Sequence, residues 1–238
     1  MLFADLTGLA RQAERWLLPS ACLLCGEAAG PEEPLVCRLC QGRWRRLPAP
    51  WCERCGQPTI HPATPCRICA GWPDGLTRVR SAVWLDDLAR DAVHALKYQG
   101  WHRIAESMAA AMSRLEPLAG SGIVVPVPLS ARRLRTRGYN QAEMLARALV
   151  LSPLLSCRTD CLVRVRETGT QTALAPEARR ANIAAAFAGR EVAGVRVVLV
   201  DDVLTTGATL AEAADALLEA GADCVEAITF ARAKLPIE

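Results

Sequence analysis

The sequence predicts an α/β fold, a parallel sheet flanked by helices, preceded by a small cysteine-rich module. Three observations carry this. From residue 76 onwards strand and helix patterns alternate, the order that builds a parallel sheet covered on both faces. Four Cys-x-x-Cys pairs crowd into residues 22–69 and then stop. Between Val197 and Ala220 an apolar run, two adjacent carboxylates, a small-residue turn and a helix pattern follow one another without a break. With 238 residues, 51% of them hydrophobic and 22% charged, the chain has room for one full domain and a small one. The division is expected as 1–75 and 76–238, at Pro73-Asp-Gly75.

Residues 1–20 read as an amphipathic helix through Leu2, Leu6, Leu9, Ala13, Trp16 and Leu17. Asp5, Arg11, Glu14 and Arg15 interrupt it, which speaks against a secretion signal. No apolar run approaches the roughly 20 residues of a membrane span, so no membrane insertion is expected. The cysteine pairs follow: Cys22/Cys25, Cys37/Cys40, Cys52/Cys55 and Cys66/Cys69. Each hairpin offers two thiolates to a tetrahedral ion, and two hairpins complete a four-sulfur shell. Gly26 and Gly56 stand where such a turn needs positive φ. Two structural Zn²⁺ ions are expected, one on Cys22, Cys25, Cys37 and Cys40, the other on Cys52, Cys55, Cys66 and Cys69. A cross-braced pairing of first with third and second with fourth is open at this point. Paired thiols without a secretion signal suit metal in a reducing cytoplasm. Arg43-Trp-Arg-Arg46 and Trp51 are read as packing around this module in preference to a nucleic-acid face.

Beyond Gly75, strands are expected at Val79–Leu85, Ile123–Val127, Leu162–Val165, Val195–Val200 and Cys224–Phe230. Helices are expected at Asp87–Tyr98, Trp101–Leu118, Asn140–Leu151, Pro176–Phe187 and Ala208–Ala220, the last stopped by Gly221. Ala131–Gln141 reads as a basic loop leading into a helix. Cys157, Cys161 and Cys224 lack metal spacing and read as small buried residues. His61, His94 and His102 have no partner spacing and read as structural. Net charge is only +3, but unevenly spread: residues 130–190 hold eleven arginines against four acids. That basic stretch suits a polyanionic ligand.

The most informative run is Val197-Val-Leu-Val-Asp-Asp-Val-Leu-Thr-Thr-Gly-Ala-Thr209. A buried strand ends in Asp201 and Asp202. A turn of small and hydroxyl residues then opens a helix, whose unpaired N–H groups and dipole favour an anion. Adjacent carboxylates can hydrogen-bond vicinal hydroxyls, while the turn holds a phosphate. The pattern therefore suits a sugar phosphate.

This run resembles the phosphoribosyl pyrophosphate (PRPP) signature of type I phosphoribosyltransferases. The resemblance implies that Asp201 and Asp202 contact the ribose hydroxyls, and that Thr205, Thr206, Gly207, Ala208 and Thr209 bind the 5′-phosphate. It also implies a loop at Arg166–Ala175 that closes over the substrate. A wider set of motifs is similar to the ComF family: the paired cysteines, Leu96-Lys-Tyr98, Val125-Pro-Val-Pro128, Arg137-Gly-Tyr-Asn-Gln141, Thr168 with Gln171, and Arg179-Arg-x-Asn182 before Ala186-Phe187. That family usually has Phe where Tyr139 stands. The likeness implies a type I phosphoribosyltransferase fold behind a double zinc ribbon, with Arg137 and its neighbours on the pyrophosphate side. It implies PRPP as ligand, Mg²⁺ entering with it, and a role in DNA uptake or nucleotide salvage. Two functional readings follow. One is a transferase that passes phosphoribosyl to a nitrogen acceptor. The other is a non-catalytic PRPP sensor that holds single-stranded DNA or DNA-uptake proteins.

Overall fold

The structure, a computed structural model, describes residues 21–28, 34–60, 66–150, 154–166 and 186–234. In chain order its helices are α1 (Arg38–Arg43), α2 (Asp87–Tyr98), α3 (Ile104–Met112), α4 (Ala131–Arg137), α5 (Gln141–Leu149) and α6 (Ala208–Glu219). Its strands are β1 (Leu76–Trp84), β2 (Gly122–Pro126), β3 (Leu155–Cys157), β4 (Leu162–Arg164), β5 (Phe187–Gly189), β6 (Arg196–Leu204) and β7 (Cys224–Arg232). Five strands form one sheet in the order β1-β7-β6-β2-β3, all neighbours parallel. Alternate residues of the central strands serve opposite faces, as the two-residue strand period requires. Val198, Val200, Ile228 and Phe230 pack with Leu96 of α2, Met108 of α3 and Leu145 of α5. Val197, Leu199, Val225 and Ala227 pack with Leu210, Ala213 and Leu217 of α6. Both faces are thus buried, which explains why β6 reads as an unbroken apolar run.

Local chemistry fixes the helix starts. Asp86 Oδ1 accepts from Ala89 N (3.1 Å) at α2, and Asn140 Oδ1 accepts from Ala142 N (3.1 Å) at α5. Five expectations change. The helix expected over Trp101–Leu118 stops at Met112, and only a 3₁₀ turn, Glu116–Leu118, follows, because Pro117 has no N–H to continue it. Leu162–Arg164 is a strand, but it pairs antiparallel with β5 in a separate two-stranded sheet. The basic loop is instead the helix α4, with Ser130 Oγ accepting from Arg133 N (3.3 Å) and Gly138 closing it at φ 82°. None of its residues is buried, so no apolar period marked it. β3 was not expected at all, since three residues carry too little pattern. The helix expected over Pro176–Phe187 is contradicted at its end, where Phe187 opens the strand β5; its residues 176–185, the helix expected at 1–20 and the loop after Arg166 lie outside the described residues.

The cysteine-rich module packs along β1, the sheet edge. Trp84 N donates to Arg45 O (2.7 Å) and Val79 N to Arg54 O (2.7 Å), which covers backbone groups that an open edge would expose. Trp44 is buried edge-on against Phe230, with ring centroids 4.9 Å apart. It belongs to the core, as the packing reading of Arg43–Arg46 expects. Among the described residues no helix is long and apolar enough to cross a membrane.

Candidate functional site

The eight paired cysteines form two sequential clusters, Cys22/Cys25/Cys37/Cys40 and Cys52/Cys55/Cys66/Cys69, with the sulfurs of each within 4.8 Å of one another. The cross-braced pairing is thereby set aside. Sulfur separations of 3.9 Å (Cys25–Cys37), 3.8 Å (Cys52–Cys69) and 3.6 Å (Cys55–Cys66) match the edge of a tetrahedron built on zinc–sulfur bonds of about 2.3 Å. The two clusters share one local design. Gly26 N donates to Cys22 O and Gly56 N to Cys52 O, both at 2.8 Å, and both glycines have positive φ. Burial raises the Cys22 thiol, but donation from the backbone of Cys37, Cys25 and Leu24 outweighs it and brings the group down to about 6. Burial pushes the Cys40 thiol of the same cluster up instead, so a bound cation is what would bring all four sulfurs to the thiolate form. The donor set fits structural Zn²⁺ in both clusters.

The acidic pair lies inside β6, close to the strand's C-terminal end. Asp202 points to the α2–α5 face and is 3% exposed. Its Oδ2 pairs with Lys97 Nζ, and its Oδ1 accepts from Gln141 Nε2 at 3.0 Å. Gln141 Oε1 accepts in turn from Arg137 Nη1, and the Arg137 guanidinium sits 5.2 Å from the Tyr98 ring centroid. Asp201 is half-buried, and its Oδ1 accepts from Asp202 N at 2.8 Å. Burial, then the Asp202 charge, pushes Asp201 well above the usual carboxylate range. Burial opposes ionisation of Asp202 too, but Lys97 outweighs it and holds Asp202 low. Of the two, Asp202 therefore ionises first.

The turn that follows leaves Thr205 exposed and Thr206 and Thr209 half-buried. Gly207 takes φ 80°, and α6 starts at Ala208 with no side-chain cap and no acid in its first turn. Thr206 Oγ1 accepts a long bond from Ala208 N (3.4 Å). The helix thus presents its N-terminal amides beside the carboxylates, at the carboxyl ends of parallel strands where α/β sheets bind ligands. Arg132, Arg133 and Arg135 are exposed on α4, and Arg137 is half-buried.

The sequence singled out Asp201, Asp202, Thr205–Thr209 and Arg137, and the fold brings Arg137 into one network with Asp202. Lys97 and Gln141 complete that network without having been assigned a role, although both lie in motifs that carry the family resemblance. The Tyr139 hydroxyl donates to Leu96 O, one residue from Lys97, so the departure from Phe gains a satisfied polar group. Trp72 had no signal at all: it reaches the turn from a distant part of the chain, its indole against Gly207. Cys161 is buried, as expected, whereas Cys157 and Cys224 are only half-buried.

Residues 134–235 match the family described as "Phosphoribosyl transferase domain", and residues 13–70 match "Double zinc ribbon domain". The DNA utilization protein YhgH of Salmonella typhimurium is 34% identical over 219 residues, spanning 88% of this chain and 95% of that one. The competence protein ComFC of Bacillus subtilis is 28% identical over 220 residues, 85% of each chain. Among solved structures, a glutamine PRPP amidotransferase from B. subtilis, complexed with ADP and GMP, aligns at 22% identity with a TM-score of 0.36, covering 52% of this chain and 26% of that one.

Proposed function

We propose, for a chain that belongs to the ComF family and joins a double zinc ribbon to a phosphoribosyltransferase domain, that it binds PRPP and transfers phosphoribosyl to a nitrogen acceptor in support of DNA use or uptake. The observation that carries this is the strand-end acidic pair set against the uncapped N-terminus of α6. In this reading the α6 amides with Thr205, Thr206 and Thr209 take the 5′-phosphate, and Asp201 faces the ribose hydroxyls. Asp202, tied to Lys97 and Gln141, fixes the charge beneath the sugar, and Arg137 answers the pyrophosphate. Mg²⁺ would be held mainly by PRPP oxygens and water with Asp201 as the available carboxylate, and would neutralise the leaving pyrophosphate. The reaction asks the protein for position and electrostatics: pyrophosphate leaves, positive charge grows on the ribose, and a held nucleophile attacks. The cellular role is carried over from relatives named for DNA utilization and competence.

Calorimetric titration with PRPP and Mg²⁺ tests the reading. Wild type should bind, and Asp201→Asn should lose at least about tenfold in affinity, the equivalent of one good charge-assisted hydrogen bond. Equal affinity in the two proteins would remove Asp201 from the site.

A second property is favoured by one observation. α4 carries Arg132, Arg133, Arg135 and Arg137, the last 5.2 Å from the ring centroid of Tyr98, which is 68% exposed; Trp101, three residues on, is 45% exposed. Basic groups interleaved with exposed aromatic rings are the chemistry of single-stranded nucleic-acid binding. In this reading DNA runs beside the PRPP site and supplements the transferase.

A further inference from the structure

We propose that the second cysteine cluster is part of the machinery that shapes the Thr205–Thr209 turn, so that zinc held there and phosphate bound at α6 stabilise one another. Two anchors bracket the turn, and both belong to Cys52/Cys55/Cys66/Cys69. The first is Trp72, three residues past Cys69 and buried, with its N donating to Cys69 O (3.1 Å). Its indole lies so close to Gly207 that a Cβ there would stand 2.1 Å from Trp72 Cζ2. Arg54, next to Cys55, ties this strap down by donating to Cys69 O (3.1 Å), Trp72 O (3.0 Å) and Leu76 O (3.0 Å). The second anchor is Arg232, fully buried at the end of β7. It stands in register with Leu204, and Ala233 N donates to Leu204 O (2.8 Å), immediately before Thr205. Its guanidinium donates to Cys55 O (2.8 Å) and to Gln57 Oε1 (2.8 Å) and reaches Cys55 Sγ at 4.0 Å.

Arg232 makes no carboxylate pair among the described residues, and a buried cation needs a counter-charge. A zinc ion with four thiolates carries two net negative charges, and the Cys55 sulfur brings them to the guanidinium. Among the described residues the first cluster has no such link. Its neighbours Val36, Cys40 and Trp44 pack on the opposite face of the sheet, against Phe230 and Val83. Trp72 and Arg232 are therefore positioning residues, and the coupling must be reciprocal. The inference rests on the reading of this turn as a phosphate site only for its second half, the effect of ligand on zinc.

Hydrogen exchange on the zinc-loaded full chain tests the first half without any ligand. Exchange of amides 204–210 should rise about tenfold or more in Trp72→Ala and in Cys52→Ser, recover in Trp72→Phe, and stay within about twofold of wild type in Cys22→Ser. Unchanged exchange in Trp72→Ala, or equal loosening in Cys22→Ser, would overturn the coupling. The second half needs no variant. PRPP with Mg²⁺ should slow zinc release to a chromogenic chelator from one of the two sites by roughly fivefold or more. If release is unaltered while Trp72→Ala still loosens the turn, the phosphate reading falls and the positioning role stands.

Discussion

At the scale of residues, the site turns on two neighbouring carboxylates with opposite fates. Asp201 is raised by burial and by Asp202, whereas Lys97 holds Asp202 low despite burial. Their contributions to stability therefore have opposite signs with pH. A group raised in the folded state stabilises below its unfolded value and loses that contribution as pH climbs through the folded one, so Asp201 should cost stability above the carboxylate range. A depressed group does the reverse, and Asp202 should lose its contribution as pH falls through its folded value. Asp201→Asn keeps an acceptor for Asp202 N and removes the like charge. It should therefore unfold at a higher temperature than wild type at neutral pH, with the gap closing towards pH 4. Lys97→Met leaves Asp202 buried without its cation and should cost roughly 3 kcal/mol, or on the order of 5–10 °C in a chain of this size. Thermal melts of the two variants between pH 4 and 8 check both signs. An Asp201→Asn melt below wild type at neutral pH would show that neither burial nor the Asp202 charge penalises Asp201 in the fold.

At the scale of elements, α4 is the odd one: a helix with no buried residue, capped by Ser130 and stopped by Gly138, bearing four arginines. A helix of seven residues has little intrinsic stability, so its packing partners or a ligand must supply a reason to form. If it lies on a DNA path, wild type should retard single strands in gel-shift titrations with a steep salt dependence. Arg132→Ala with Arg133→Ala should then flatten the slope by about 0.7 for each DNA phosphate that is no longer neutralised. If the arginines answer pyrophosphate alone, the double variant should weaken PRPP binding and wild type should show no retardation at low salt. α6 is the opposite case. It packs Leu210, Ala213 and Leu217 on the sheet, which leaves its N-terminus as the part that can meet a ligand.

At the scale of the whole molecule, the cysteine clusters are built into the sheet. Trp44 meets Phe230 on one face, Trp72 meets Gly207 on the other, and Arg232 runs from β7 to Cys55. Elemental analysis of purified, tag-free protein should give about two zinc ions per chain. Removing them should lower the melting temperature of the sheet and not of the ribbons alone, since a structural ion's binding energy is folding energy. A melt of the sheet unchanged by chelation would mean that the two parts fold independently. The sequence by itself determined the parallel α/β class, the eight paired cysteines and the acidic pair before the Thr205–Thr209 turn. Each of those is written in a short window, as a cysteine spacing, an apolar run or a strand-turn-helix order, and needs no distant residue to be read. Only the tertiary structure decided which cysteine pairs cluster together, that Lys97, Gln141 and Arg137 converge on Asp202, and that Trp72 backs Gly207. These depend on residues brought together from far apart in the chain, and no periodicity records such a meeting. The α4 helix escaped for a related reason: its amphipathic signal is missing because it buries nothing, and Ser130 and Gly138 mark its ends too weakly to stand alone.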